Sequence, residues 1–199
     1  MQLPDSAHTS QPWRIHEIAP DFDLEDVWAL PTSGGPDDFP QLVELAQTFD
    51  PEQGSSKLVA GLFALRWKIG ELLGWDRESD GLGSRVPTLR DRLPEDLLRD
   101  LPEQAPSLPF TPLYLTENEF AAEIANRTMH GIAHVGWVED GHGGYRGQMA
   151  VLVKRNGLFG SAYMAAIAPF RHLIVYPRMM REFESEWQER MRGQGKAVA

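Results

Sequence analysis

His130 and His134 stand four residues apart, a spacing that on a helix sets two imidazoles side by side as metal ligands. The stretch around them, 128–138, alternates like a strand, where four residues span about 13 Å. Imidazoles that far apart do not share one ion, so the pair is given no metal role. Glu139, Asp140 and His142 share a Gly-rich loop. Such a loop can carry catalysis or calcium, but the spacing matches no calcium loop and reads as a solvated turn. Gly141-His142-Gly143-Gly144 and the glycines at 157 and 160 are not expected to precede helices in a nucleotide-binding pattern. No Gly-x-Ser-x-Gly elbow occurs. Arg171 and His172 follow Pro169 near the start of the last helical stretch. Arg171 is read as pairing with an acidic strand end, or as meeting an anionic ligand head at a cavity mouth. Tyr176 stands before an expected kink at Pro177 and is read as bonding the carbonyl freed there. Catalysis by general acid or base needs a titratable group within reach of a substrate. Asp26, Arg171 and His172 are the residues an enzyme would have to turn inward.

What must position these residues is the stretch 118–168, read as a run of antiparallel strands. Asn156-Gly157 between two apolar runs is a strong two-residue hairpin signal. It predicts that the strand ending at Arg155 turns back through 158–166. Side chains alternate across a strand. One face then carries Met129, Gly131, Ala133, Val135, Trp137, Met149, Val151, Val153 and Met164, joined by Phe120, Ala122 and Ile124 from the preceding strand. Glu123, His130, Ile132 and His134 fall on the opposite face. A slip of one residue would mix the two sets, so the register is well specified.

Residues 1–12 read as a loose tail, 13–192 as one domain, and 193–199 as a frayed end. The stretches 13–18 and 24–30 look extended. In the second, Leu24, Asp26, Trp28 and Leu30 share a face that Asp26 spoils. Helices are predicted over 39–49 and 55–74, the latter with Leu58, Leu62, Leu65, Ile69 and Leu72 in a stripe, Trp67 beside it and Gly74 at its end. A broken helix follows over 88–101, then a Pro-rich extended run, and a strand over 110–116. From Pro169 onward Phe170, Leu173, Ile174, Met180, Phe183, Trp187 and Met191 recur at helical spacing. This apolar side suits the small-residue face of the sheet.

The composition narrows the classes. With 42% hydrophobic and 24% charged residues, the 199-residue chain can bury a full core. A formal net charge of −10 without a basic stripe argues against nucleic acid and anionic membranes as partners. Without cysteine there are no disulfides, thiolate nucleophiles or cysteine zinc sites. The first eleven residues lack the basic start and apolar stretch of a signal peptide. No apolar run is long enough to span a bilayer. A cytoplasmic protein is expected, with no membrane insertion and no cofactor.

Four motifs stand out: Leu62-Phe63-Ala64-Leu65-Arg66 through Leu72-Leu73-Gly74, Ala125-Asn126-Arg127-Thr128, Tyr145-Arg146-Gly147-Gln148-Met149-Ala150-Val151-Leu152-Val153-Lys154, and Pro169-Phe170-Arg171-His172-Leu173-Ile174-Val175-Tyr176-Pro177. On these residues the chain resembles a bacterial family of uncharacterised proteins, domain of unknown function 2867. The resemblance implies no activity. The order of elements looks like the helix-grip fold of START, Bet v 1 and polyketide-cyclase-like proteins. That is an α+β fold, with an antiparallel sheet of about six or seven strands curved around a long C-terminal helix and shorter helices after the first strand. Relatives of that architecture often bind lipids, sterols, polyketides or hormones between sheet and helix. The expectation is a non-catalytic protein that holds a small apolar or amphipathic molecule there. The lining drawn from the apolar face comprises Trp67, Met129, Val135, Trp137, Tyr145, Met149, Met164 and Phe170. Two alternatives stay open: a cyclase or dehydratase working in the same cavity, and a partner-binding module without ligand that uses the opposite face near Leu152, Phe159 and Tyr163.

Overall fold

The computed structural model describes residues 1–48, 82–83, 86–99, 101–102, 110–126 and 128–197. The helix predicted over 55–74, with Trp67, lies outside them. Two single-turn helices, α1 (Ser6–Thr9) and α2 (Ile15–Ile18), precede a long strand β1 (Asp23–Gly34) and helix α3 (Phe39–Thr48). Strands β2 (Thr111–Leu115), β3 (Glu119–Ala125), β4 (Met129–Glu139) and β5 (Tyr145–Arg155) follow. The chain ends in α4 (Gly157–Phe170), a π-helical turn over Arg171–Val175, and the long helix α5 (Tyr176–Ala197). The described strands form one antiparallel sheet of five in the order β1-β5-β4-β3-β2. An antiparallel sheet packed under a long final helix, with a shorter helix after the first strand, is the helix-grip arrangement.

The hairpin expected at Asn156-Gly157 does not form, because 157–170 is helical. β5 pairs with β4 along one edge and with β1 along the other, so no edge remains for a strand returning from Gly157. The stretch itself, with Ala162, Ala165, Ala166, Ala168 and Met164, is rich in strong helix formers. Gly157 still takes the left-handed conformation (φ +70°), but it turns a strand into a helix. The glycines at 157 and 160 therefore do open a helix, though without the full glycine pattern of a phosphate cradle. β1 to β5 supplies the strand contact that the hairpin was expected to make.

Both faces of the sheet are covered. On one face Trp28, Leu30, Phe120, Ala122, Val135 and Trp137 pack against Phe39, Leu42, Val43 and Leu45 of α3 and Tyr176, Met180, Phe183 and Trp187 of α5. The helix residues recur every three to four positions, one stripe of a 3.6-residue helix. Burying each large side chain contributes about 1.5–3 kcal/mol. Two hydrogen bonds fix α5 along β1: Tyr176 Oη donates to Asp26 Oδ2 (2.9 Å), and Trp187 Nε1 donates to the Ser33 carbonyl (3.0 Å).

The opposite face is buried as well. Ile132, Ala150, Leu152 and Val27 pack under Trp13, Ile15, Ile18, Leu89, Leu93 and Leu97. Residues 1–12, expected as a loose tail, are part of this cover. Leu3 N–H donates to the Val27 carbonyl, the Met1 carbonyl accepts from Ala29 N–H, and His8 is buried. Residues 15–18, expected as extended, make a helical turn that turns Ile15 and Ile18 inward. A Cβ at Gly136 would lie 2.6 Å from the Trp13 ring, so only glycine lets the tail lie this close to β4.

Candidate functional site

The face toward α5 carries one charge inside an apolar row. β1 pairs Leu24 with Leu152 but Asp26 with Val151, and the extra residue, Glu25, forms a bulge. Leu24 thus packs on the tail side of the sheet, while Asp26 joins Trp28 and Leu30 under α5. The Asp26 side chain is fully buried. Its Oδ2 accepts from Arg171 Nη2 at 2.7 Å and from Tyr176 Oη at 2.9 Å. His172 Nε2 stands 3.0 Å from Oδ1, within ion-pair distance but without hydrogen-bond alignment. Arg171 also reaches Glu25 Oε2 at 3.5 Å, and Glu25 in turn meets Arg155. Burial, reinforced by the Asp26 charge, pushes the Tyr176 hydroxyl well above its ordinary range, so it stays a donor.

The π-helical turn explains how Arg171, His172 and Tyr176 reach one carboxylate. Pro177 has no N–H for the Leu173 carbonyl, and its ring crowds that carbonyl. The chain widens the turn before it, and the Tyr176 N–H bonds the Arg171 carbonyl instead. π turns inside helices are frequent at functional sites. The Tyr176 hydroxyl was expected to satisfy a freed carbonyl; it binds Asp26.

Of the lining residues expected from the sequence, Val135, Trp137, Tyr145 and Met149 come together in the cluster under α5. Trp137 stacks on Tyr145 with ring centroids 6.4 Å apart, meets Trp187 at 6.0 Å, and donates from Nε1 to the Gly35 carbonyl. Met129 is half-buried at the start of β4, its sulfur over Gly131. Met164 is buried on α4, apart from this cluster, and Phe170 is 52% exposed at the end of α4. Trp28, absent from the expected lining, lies against Tyr176 (4.8 Å) and His172 (6.3 Å).

The imidazoles of the opposite face are bound to carboxylates. His130 Nε2 lies 2.7 Å from Glu123 Oε2, and His134 Nε2 lies 2.9 Å from Glu119 Oε2. Each pair is diagonal across the β3–β4 ladder, where Glu123 faces Ile132 and Ala121 faces His134. Among the described residues no group of three potential ligands could hold a metal ion. Glu123 also accepts from the Thr88 hydroxyl and from Leu89 N–H, and Glu119 from Arg14 N–H and the Tyr114 hydroxyl. The pairs thus fasten both covering segments to the sheet.

The tautomers follow from the network. His134 donates from Nε2 to Glu119, so its Nδ1 accepts from His8 Nε2 at 3.2 Å. His8 Nδ1 is then bare, and among the described residues it has no partner. Burial, with His134 and His16 nearby, pushes His8 down to about 3. Burial lowers His134 too, although Glu119 opposes the shift. Burial raises Glu119, but its hydrogen bonds outweigh this and bring it below its ordinary value. An imidazole held lower in the folded chain takes up protons more readily when unfolded. Its stabilising contribution is complete above the unfolded value of 6.5 and is lost as pH falls toward about 3. Glu119, lowered as well, adds to the acid loss. Urea titrations should therefore show stability falling by on the order of 3 kcal/mol from neutral pH to about pH 4. The slope should be much smaller in His8→Phe; an unchanged slope would place the acid sensitivity elsewhere.

The order of elements and their packing decide the class: a helix-grip-like domain with a polar cluster under its final helix. The chain belongs to the family described as Protein of unknown function (DUF2867), which it matches over residues 18–178. That span holds Asp26, Trp28, Arg171, His172 and Tyr176. No curated protein and no solved structure matches the chain.

Proposed function

We propose that the protein binds a small hydrophobic or amphipathic molecule between its sheet and α5. The observation that carries this reading is the pairing of an aromatic and methionine-rich face with one polar end. Trp28, Trp137, Tyr145 and Met149 lie on the sheet side, and the Asp26–Arg171–Tyr176 cluster lies at the start of α5. An apolar lining with a few convergent polar groups is the usual composition of a small-molecule site. The location matches the gap that helix-grip proteins use.

Native mass spectrometry of the protein purified from its own host tests this directly, with a retained small molecule as the expected result. Titration with the neutral dye N-phenyl-1-naphthylamine gives the second readout. Met149→Trp fills the gap and should weaken dye binding about tenfold or more while the far-UV circular dichroism stays intact. Unchanged dye binding in that variant, with no retained mass in the native protein, would overturn the reading. A cyclase- or dehydratase-type reaction in the same gap is the second reading, favoured by the imidazole of His172 beside the buried carboxylate of Asp26. Chemical conversion of the retained molecule would distinguish it from binding alone.

A further inference from the structure

Three buried polar atoms in the Asp26 cluster have no hydrogen-bond partner among the described residues: Asp26 Oδ1, Trp28 Nε1 and Arg171 Nε. Buried polar atoms are ordinarily paired, and each orphan calls for a partner. These three belong to one connected group. Arg171 and Tyr176 bond Asp26, and Trp28 lies against Tyr176. Asp26 is fully buried, and Trp28 is 7% exposed. The His172 side chain, 30% exposed, is the part of the group that meets solvent most.

The three orphans are two donors and one acceptor. The indole and guanidinium N–H groups each need a lone pair, and the carboxylate oxygen needs a hydrogen. One hydroxyl oxygen offers two lone pairs and one hydrogen. The charges argue the same way. A carboxylate head would satisfy both donors but would set its charge against Asp26 Oδ1. An ammonium head would suit Asp26 but would leave the indole and guanidinium N–H groups facing a cation. The existing charges already balance in part: Arg171 spans Asp26 and Glu25, and Arg155 holds Glu25 and Asp23.

We infer that the ligand of this gap is an alcohol or phenol, an apolar body whose single uncharged hydroxyl is read by Asp26, Trp28 and Arg171. This deepens the reading of the gap as a ligand site and rests on it. A site built to bond a hydroxyl discriminates strongly against analogues that lack it, because its own polar groups are then left bare.

Calorimetric titration at neutral pH with two probe series tests the assignment: naphthalene, 2-naphthol and 2-naphthoate, and 1-octanol, octanoate and octylammonium. In at least one series the hydroxyl compound should bind about tenfold or more tighter than its charged or bare counterparts. Trp28→Phe keeps the ring and removes the N–H. It should weaken the hydroxyl compound roughly fivefold and leave naphthalene within about twofold. Acids or ammonium compounds that bind as tightly as the alcohols would overturn the hydroxyl assignment while leaving the gap as a ligand site. Naphthalene matching 2-naphthol would do the same and point to a bound water on the three atoms. Failure of every probe to bind would remove the gap reading and this inference with it.

Discussion

Glu119→Ala should lower the unfolding free energy by about 3–5 kcal/mol, and Glu119→Gln by a smaller amount, roughly 1–3 kcal/mol. Glu119 is 2% exposed and accepts three hydrogen bonds: Arg14 N–H on Oε1 (2.8 Å), and the Tyr114 hydroxyl (3.0 Å) and His134 Nε2 (2.9 Å) on Oε2. Alanine strands three donors, the Tyr114 hydroxyl and His134 Nε2 fully buried and the Arg14 N–H partly so, and each buried donor left bare costs about 1–3 kcal/mol before relaxation. Glutamine keeps the volume and one oxygen. That oxygen can serve Tyr114 and His134, while the amide NH2 is set against the Arg14 N–H. The damage should also be local. His134 holds His8, so hydrogen exchange in 1–18 should accelerate more than in β4 and β5. Urea midpoints and exchange mass spectrometry supply both readouts. A Glu119→Ala protein within about 1 kcal/mol of the native one would mean that the covering segments are held by apolar packing alone.

Much of this architecture could be read from alternation. The partition of β3 and β4 into a Phe120, Ala122, Val135, Trp137 face and a Glu123, His130, His134 face is the observed one. In the structure His130 and His134 each meet a carboxylate of β3, Glu123 and Glu119. The signal for their true partners was available too. A turn near Asn126 sets Glu119 and Glu123 diagonal to those histidines, and four such groups on one face imply a buried network or a wet face. What decides between the two is whether something covers the face, and the cover comes from residues 1–18 and 86–97, distant in sequence. Local polarity made the first of these resemble a tail. Asn156-Gly157 misled for a related reason. The dipeptide permits a hairpin, but the edge it would need is taken by β1, more than a hundred residues earlier. Asp26 was visible as a flaw in an apolar stripe. Its meaning required the bulge at Glu25 and the π turn at 171–175, neither of which has a period.

Arg171→Leu should cost about 3–5 kcal/mol, whereas the double variant Asp26→Leu/Arg171→Leu should recover most of that loss. Arg171 Nη2 is the cationic partner of a carboxylate with no exposure, and the arginine side chain is itself only 15% exposed. Removing the guanidinium leaves Asp26 charged beneath α5, with the Tyr176 hydroxyl and the misaligned His172 as its remaining neighbours. Taking both charges away leaves the Tyr176 hydroxyl to be satisfied and otherwise exchanges an ion pair for apolar contact, which buried sites often tolerate. Stability alone therefore gives little reason for an ion pair here. The same double variant removes two of the three atoms assigned to the ligand hydroxyl. A folded double variant, stable in urea but unable to prefer 2-naphthol over naphthalene, would separate the two roles: the pair retained for recognition, the surrounding aromatics for cohesion. If the double variant were instead as unstable as Arg171→Leu, the cluster would be a structural requirement of the β1–α5 contact, and the polar end of the gap would have no recognition role to explain it.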